Sequence, residues 1–197
     1  GQNFVVDPNT VRRIARLADV GPGVPVVEIG AGLGSLTLAL AETGASVTAV
    51  ELNPNVIALC GAQFALPPND ARLDVREMNA LDFVLDTANH GTIDVLQVDL
   101  YDEEARGPVL DTPEFYQACN ECLADGGIMT VNLFGDHPSF GRNIKAMKFA
   151  FDEVICLPEV HDGNVVAICF KQRPDLDIEQ LKARAAQIVA NTKLPAK

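Results

Sequence analysis

A chain of 197 residues with 48% hydrophobic and 21% charged residues suits one folded domain large enough for a full α/β core, and excludes a disordered segment. No apolar run approaches the ~18 residues of a membrane span and no signal-peptide pattern occurs, so neither spanning nor export is expected and the predicted location is cytoplasmic. The formal net charge of −12, with an isoelectric point near 4.5, opposes a phosphate backbone. On that ground nucleic acid is not expected as a partner, and a cationic small molecule such as an amine or polyamine is.

In chain order, Val11, Ile14, Ala15, Leu17 and Ala18 recur at helical spacing, with Asp7 as cap and Gly21-Pro22-Gly23 as stop; this predicts a leading helix before a sheet. Arg12, Arg13 and Arg16 lie together on it and read as a solvated face. A strand over 26–29 runs into Gly30, Gly32 and Gly34, a helix over 36–41 follows, and a second strand over 47–51 ends in Glu51. The glycines recur at every second residue, unlike the G-x-G-x-x-G of dinucleotide binders, whose third glycine would fall at Ser35. Glu51 is placed to accept hydrogen bonds from the hydroxyls of a ribose, and Glu28 is expected at the lip of the first strand. Adenosine without a pyrophosphate fits this turn better than NAD, with Gly30, Ala31, Gly32, Gly34, Glu51 and Leu52 as candidate contacts.

Asn53-Pro54 opens a helix through Cys60. A loop over 66–70 leads to a third strand, 73–77, beyond which Asn79 and Ala80 are candidates for contacting the adenine; Asn79 equally suits a turn over 79–82. The apolar run 93–98 reads as a strand buried on both faces. It delivers Asp99, Leu100, Tyr101 and Asp102 to the carboxyl edge, where ligands of open α/β sheets bind. There Asp99 could orient or deprotonate an amine, Asp102 could bind a second ammonium, and Tyr101 completes the candidate catalytic set; a solvated loop is the competing reading.

A helix over 113–123 stops at Asp125-Gly126-Gly127, and a fifth strand covers 128–133. A helix over 139–149 precedes two strands, 153–157 and 165–171, joined as a hairpin. The tail 174–197 has a helical pattern expected to pack outside the sheet or on a partner, a second copy in a homodimer included. Cys60, Cys119, Cys122, Cys156 and Cys169 are an odd number without export signals, so reduced thiols are expected; the C-x-x-C of Cys119 and Cys122 lies in a helical pattern and suits core better than metal. His90, His137 and His161 fall in loops and are expected at the surface.

The turn and its following acid resemble motif I of the class I S-adenosylmethionine (AdoMet) dependent methyltransferases. That resemblance implies a Rossmann-like α/β fold: a seven-stranded, mostly parallel sheet with one antiparallel strand and helices on both faces. Residues 1–197 would form a single transferase domain, with a leading segment 1–23 and a helical tail 174–197. More narrowly, residues 1–51 resemble the bacterial ribosomal RNA adenine dimethyltransferases, which adds Gln2 and Asn3 as AdoMet contacts. That family's Asn-Leu-Pro-Tyr segment after strand four is absent. From Leu52 onward the chain resembles spermidine synthase and its single-domain relatives, where Asp99 would match the catalytic base and Asp102 the second acid. A change of resemblance near Glu51 suggests a chimera of two parents sharing one fold.

Together these readings predict a spermidine-synthase-like transferase that moves a methyl or aminopropyl group from AdoMet or decarboxylated AdoMet to an amine nitrogen, without metal. A domain that only binds the nucleoside is the alternative, and an RNA adenine methyltransferase is ranked below both.

Overall fold

Small and β-branched residues fill the runs PVVEI, SVTAVE and IDVLQV, a composition suited to strands covered on both faces. In the computed structural model, which describes residues 8–101, 109–159, 163–175 and 177–192, these runs form the middle of a seven-stranded sheet. The elements in order are α1 (Pro8–Leu17), β1 (Pro25–Ile29), α2 (Ser35–Glu42), β2 (Ser46–Glu51), α3 (Pro54–Gln63), β3 (Leu73–Glu77) and α4 (Ala80–Leu85). After a 3-10 turn (Thr87–Asn89) come β4 (Ile93–Val98), α5 (Pro113–Cys122), β5 (Leu123–Phe134), α6 (Phe140–Ala150), β6 (Glu153–Cys156), β7 (Asn164–Phe170) and α7 (Ile178–Thr192).

The strand order is β3-β2-β1-β4-β5-β7-β6, with β7 antiparallel to both of its neighbours. The fold is therefore the Rossmann-like class I methyltransferase fold expected from the sequence. β1 and β4 run parallel, but the order of strand addition reverses between them, which opens a crevice above their carboxyl ends. Val11 and Ala15 of α1 and Ala39 and Leu40 of α2 pack with Val26, Val47 and Leu73 on one face. On the other, Phe83 of α4, Phe115 and Tyr116 of α5 and Met147 of α6 pack with Ile29, Leu96, Val98 and Val131. Burying one such side chain contributes about 1.5–3 kcal/mol, so the two layers together fix the sheet edge on which the site stands.

The helix starts follow local chemistry. Asn53 caps α3 by accepting from the Asn55 N–H at 3.0 Å, ahead of Pro54, and Thr112 caps α5 by accepting from the Phe115 N–H at 3.2 Å, ahead of Pro113. Two elements depart from expectation. The turn at 79–82 is the start of a helix, α4, whose apolar residues Phe83 and Val84 are buried. The Asp125-Gly126-Gly127 stretch is not a helix stop but an irregular part of β5: Leu123 already pairs with Ile93, and the register shifts before Val95 meets Ile128. Gly126 has φ +75°, and a Cβ on Gly127 would lie 2.9 Å from the Ile93 carbonyl oxygen, so these glycines permit a bulge within the strand.

The histidine expectation also needs correction. His90 is half-buried, with Nε2 3.8 Å from the Glu121 carboxylate, and His137 is half-buried against Ser139; His161 lies outside the described residues. All five cysteines are free thiols, and Cys119 and Cys122 are buried core residues of α5. The α7 surface is mostly exposed, and Arg184 on it pairs with Asp19 at 3.1 Å. No described helix is long and apolar enough to cross a membrane.

Candidate functional site

The glycine turn is built by close approach of backbones. The Gly30 N–H donates to the Val50 carbonyl at 2.9 Å, and the Asp99 N–H donates to the Ile29 carbonyl at 2.9 Å, which pins the ends of β1, β2 and β4 together. Gly30 has φ +85°, and a Cβ there would stand 2.2 Å from the Asp99 carbonyl oxygen, so no side chain fits. Gly32 and Gly34 also have positive φ, at 52° and 73°, and Gly34 precedes the first turn of α2 without a side-chain cap. The backbone N–H groups at that helix start are left facing the turn.

Glu51 closes the other side. Its Oε2 accepts from the Gly32 N–H at 3.0 Å and its Oε1 from the Asn53 N–H at 2.9 Å. A carboxylate has about four acceptor positions, so capacity for two hydroxyl donors remains. Leu52, next to it, is 67% exposed and offers an apolar surface at the same edge. A shallow crevice open to solvent is lined by Ala31, Gly32, Gly34 and Glu51 together with Cys60, Leu66 and Val75. It reaches the turn from the α2 and α3 side; Asn79 and Asp99 do not line it.

Several sequence candidates sit differently from expectation. Glu28 is not at the lip: it is buried beneath the turn and accepts from the Thr37 hydroxyl at 2.5 Å. Burial pushes its carboxyl up to about 7; the Thr37 bond opposes that rise, and the neighbouring Asp99 and Glu51 charges add to it. The amide oxygen of Asn79 accepts from the Leu81 N–H at 2.9 Å and caps α4, so the role the sequence left open as a turn former is the one it fills here. Ala80 is buried, leaving only its backbone for a ligand. Gln2, Asn3 and Asp102 lie outside the described residues.

Asp99 emerges from β4 half-buried, and burial holds its carboxyl above the usual carboxylate range, opposed by a hydrogen bond from Asn132. Tyr101 is half-buried, its hydroxyl has no hydrogen-bond partner among the described residues, and burial with the Asp99 charge pushes the phenol up. Glu51 and Asp99 therefore stand at the carboxyl edge of the sheet, acidic groups suited to a cationic ligand, with Glu28 buried beneath them.

Sequence reading missed two features beyond β4. Asn132 donates from Nδ2 to Asp99 Oδ1 at 3.2 Å across the β4–β5 seam. Between α5 and α6, Tyr116 Oη donates to Asn143 Oδ1 at 2.6 Å, Asn143 Nδ2 donates to the Ser139 carbonyl at 3.1 Å, and the Ser139 N–H donates to His137 Nδ1 at 3.2 Å. Parallel pairing of Val98 with Val131 is the signal that would have found Asn132, since it puts the next residue of each strand side by side.

Residues 1–98 match the family model described as ribosomal RNA adenine dimethylase. The match runs past Glu51 to the last residue of β4 and ends before Asp99. The chain is 65% identical over 65 residues to ribosomal RNA small subunit methyltransferase A of Corynebacterium efficiens, covering 33% of this chain and 22% of that protein. It is 51% identical over 83 residues to the protein of that name from Bifidobacterium longum, covering 41% and 27%. The chain thus spans about a quarter of the length of these relatives. By structure it resembles human methyltransferase-like protein 13 in complex with SAH, with TM-score 0.74 and 20% identity over 96% of this chain and 90% of that one. It also resembles a probable spermidine synthase from Corynebacterium glutamicum, with TM-score 0.71 and 19% identity over 92% and 69%.

Two expectations fall here. The spermidine-synthase-like amine or polyamine transferase is not supported, because the likeness to spermidine synthase is one of fold while the sequence relatives carry ribosomal RNA methyltransferase names. One fold serves many acceptors, and its strands and packing recur without the acceptor site. The exclusion of nucleic acid falls with it. Net charge sums over the whole surface, whereas charges are screened beyond about 8 Å at physiological salt, so −12 does not describe the field at any one face.

Proposed function

We propose, for a chain whose residues 1–98 match the ribosomal RNA adenine dimethylase model, that it binds AdoMet between the Gly30–Gly34 turn and Glu51 and methylates the amino group of an adenine in RNA. The observation that carries the reading is the turn itself: a left-handed Gly30 with no room for a Cβ against the Asp99 backbone, inside the matched segment and facing Glu51. The residues present fit the nucleoside. Glu51 has acceptor capacity for the ribose hydroxyls, the uncapped start of α2 supplies N–H donors, and Leu52 offers apolar surface for the base. Acidic Glu51 and Asp99 favour a sulfonium over a neutral thioether, which helps exchange cofactor for product.

Bound there, AdoMet supplies a methyl carbon on a positively charged sulfur, a leaving group that needs no acid. The protein's part is alignment and proton handling. Asp99, through its free oxygen, accepts a hydrogen bond from the adenine amino group and turns the nitrogen lone pair toward the methyl carbon. On taking the methyl group the nitrogen would shed a proton, which the Asp99 carboxylate would accept, while the S–C bonding pair would leave with the neutral thioether. An adenine inside a duplex cannot reach such an edge, so the acceptor is single-stranded or flipped out.

Calorimetry with AdoMet and S-adenosylhomocysteine tests the pocket, and transfer of a labelled methyl group to small-subunit ribosomal RNA tests the reaction. Binding, with label recovered as methylated adenine and lost in Asp99→Ala, is expected. No binding of either nucleoside defeats the whole reading. Binding without transfer to any RNA leaves a nucleoside-binding domain and defeats the catalytic part of the reading.

A further inference from the structure

We propose that Asn132 is a positioning residue of this site, holding one oxygen of Asp99 so that the other is presented to the acceptor amine. The proposal rests on the reading of Asp99 given above. The geometry is direct. Val98 of β4 pairs with Val131 of β5, so Asp99, the first residue past β4, stands beside Asn132, which is still within β5, and Nδ2 of Asn132 donates to Oδ1 of Asp99 at 3.2 Å. One pleat below, on the same face, Thr130 Oγ1 donates to Gln97 Oε1 at 3.2 Å. The β4–β5 seam is thus a polar ladder whose last rung is the Asp99–Asn132 pair. The cross-strand bond removes rotational freedom from the carboxylate, because Asn132 stands on a central strand paired on both sides, with Val166 of β7 opposite it.

The charged and titratable surroundings of Asp99 make that bond matter. Glu28 of β1 lies close enough to repel it, Glu51 of β2 repels Glu28 in turn, and the Tyr101 phenol lies near enough to feel its charge. Burial favours the protonated carboxyl of Asp99, which cannot accept a proton. Among the described residues, Asn132 is the side-chain donor opposing that burial. Asn132 therefore acts on two properties at once, the direction of the free oxygen and the fraction of Asp99 that is ionised.

The test compares wild type with Asn132→Leu, close to isosteric and without a donor, and with Asn132→Ala. In both variants AdoMet affinity stays within about twofold of wild type and reports folding. Methyl transfer falls about tenfold on the acid side of the pH profile and recovers as pH rises, the size expected for one lost hydrogen bond to a carboxylate. A carbon NMR titration of the aspartate carboxyls, with Asp99→Asn to assign the signal, reads the same coupling without any turnover. A shift of the Asp99 titration to higher pH in Asn132→Leu supports the proposal. An unchanged titration overturns it, as does a turnover loss independent of pH. If wild type shows that shift on mutation yet transfers nothing to RNA, the reaction assigned to the site fails while Asn132's hold on Asp99 stands.

Discussion

At the scale of single residues, Gly30 is the position where the chain has least freedom. Any side chain would enter the Asp99 carbonyl, and φ +85° is already strained for anything but glycine. Gly30→Ala is expected to destabilise the domain by more than about 3 kcal/mol, through strain and overpacking, and to abolish nucleoside binding. Chemical denaturation checks this; a loss below about 1 kcal/mol would mean that β1 and β4 separate at little cost. The glycine spacing made this turn legible from sequence because no other residue type satisfies both demands. Glu28 was misjudged for a related reason: alternation along β1 sends it to the α2 face, where Thr37 binds it, rather than to the open edge.

At the scale of elements, the loop after β5 is held by the chain Tyr116, Asn143, Ser139 and His137. Tyr116 and Asn143 are completely buried, so removing one partner leaves the other with an unmet polar group. Asn143→Ala is expected to cost about 1–3 kcal/mol from the orphaned Tyr116 hydroxyl, read as a lower denaturation midpoint with an unchanged m-value. Tyr116→Phe in the Asn143→Ala background should then cost little more, and strict additivity of the two would show that they do not interact. Strand positions were readable from apolar runs, since β3 and β4 match the expected ranges residue for residue. The missed α4 is six residues long, too short for periodicity to declare, and β5 hid its start behind glycines that usually end helices.

At the scale of the molecule, Glu28 makes stability depend on pH. Its carboxyl lies near 4.5 when unfolded and is pushed up to about 7 when folded, so between those values the folded state holds more proton than the unfolded one. That contribution is fully present below about pH 4.5 and is lost as pH rises through 7, an effect on the order of 3 kcal/mol. Asp99, shifted in the same direction, adds to it. Glu28→Gln should flatten the fall and be more stable than wild type at pH 8, as thermal melts between pH 5 and 8 would show. Stability of the wild type rising across that range would falsify the burial assigned to Glu28.

The sequence by itself determined the sheet, the glycine turn and Glu51, because strand burial and left-handed backbone each restrict residue choice at fixed spacing. It could not rank acceptors: whole-chain charge and a shared strand pattern pointed to a polyamine, while neither reports the local surface. Only the tertiary structure decided which acids meet. Glu28, Glu51 and Asp99 come from three strands, and Asn132 from a fourth, brought together by parallel register that sequence distance conceals.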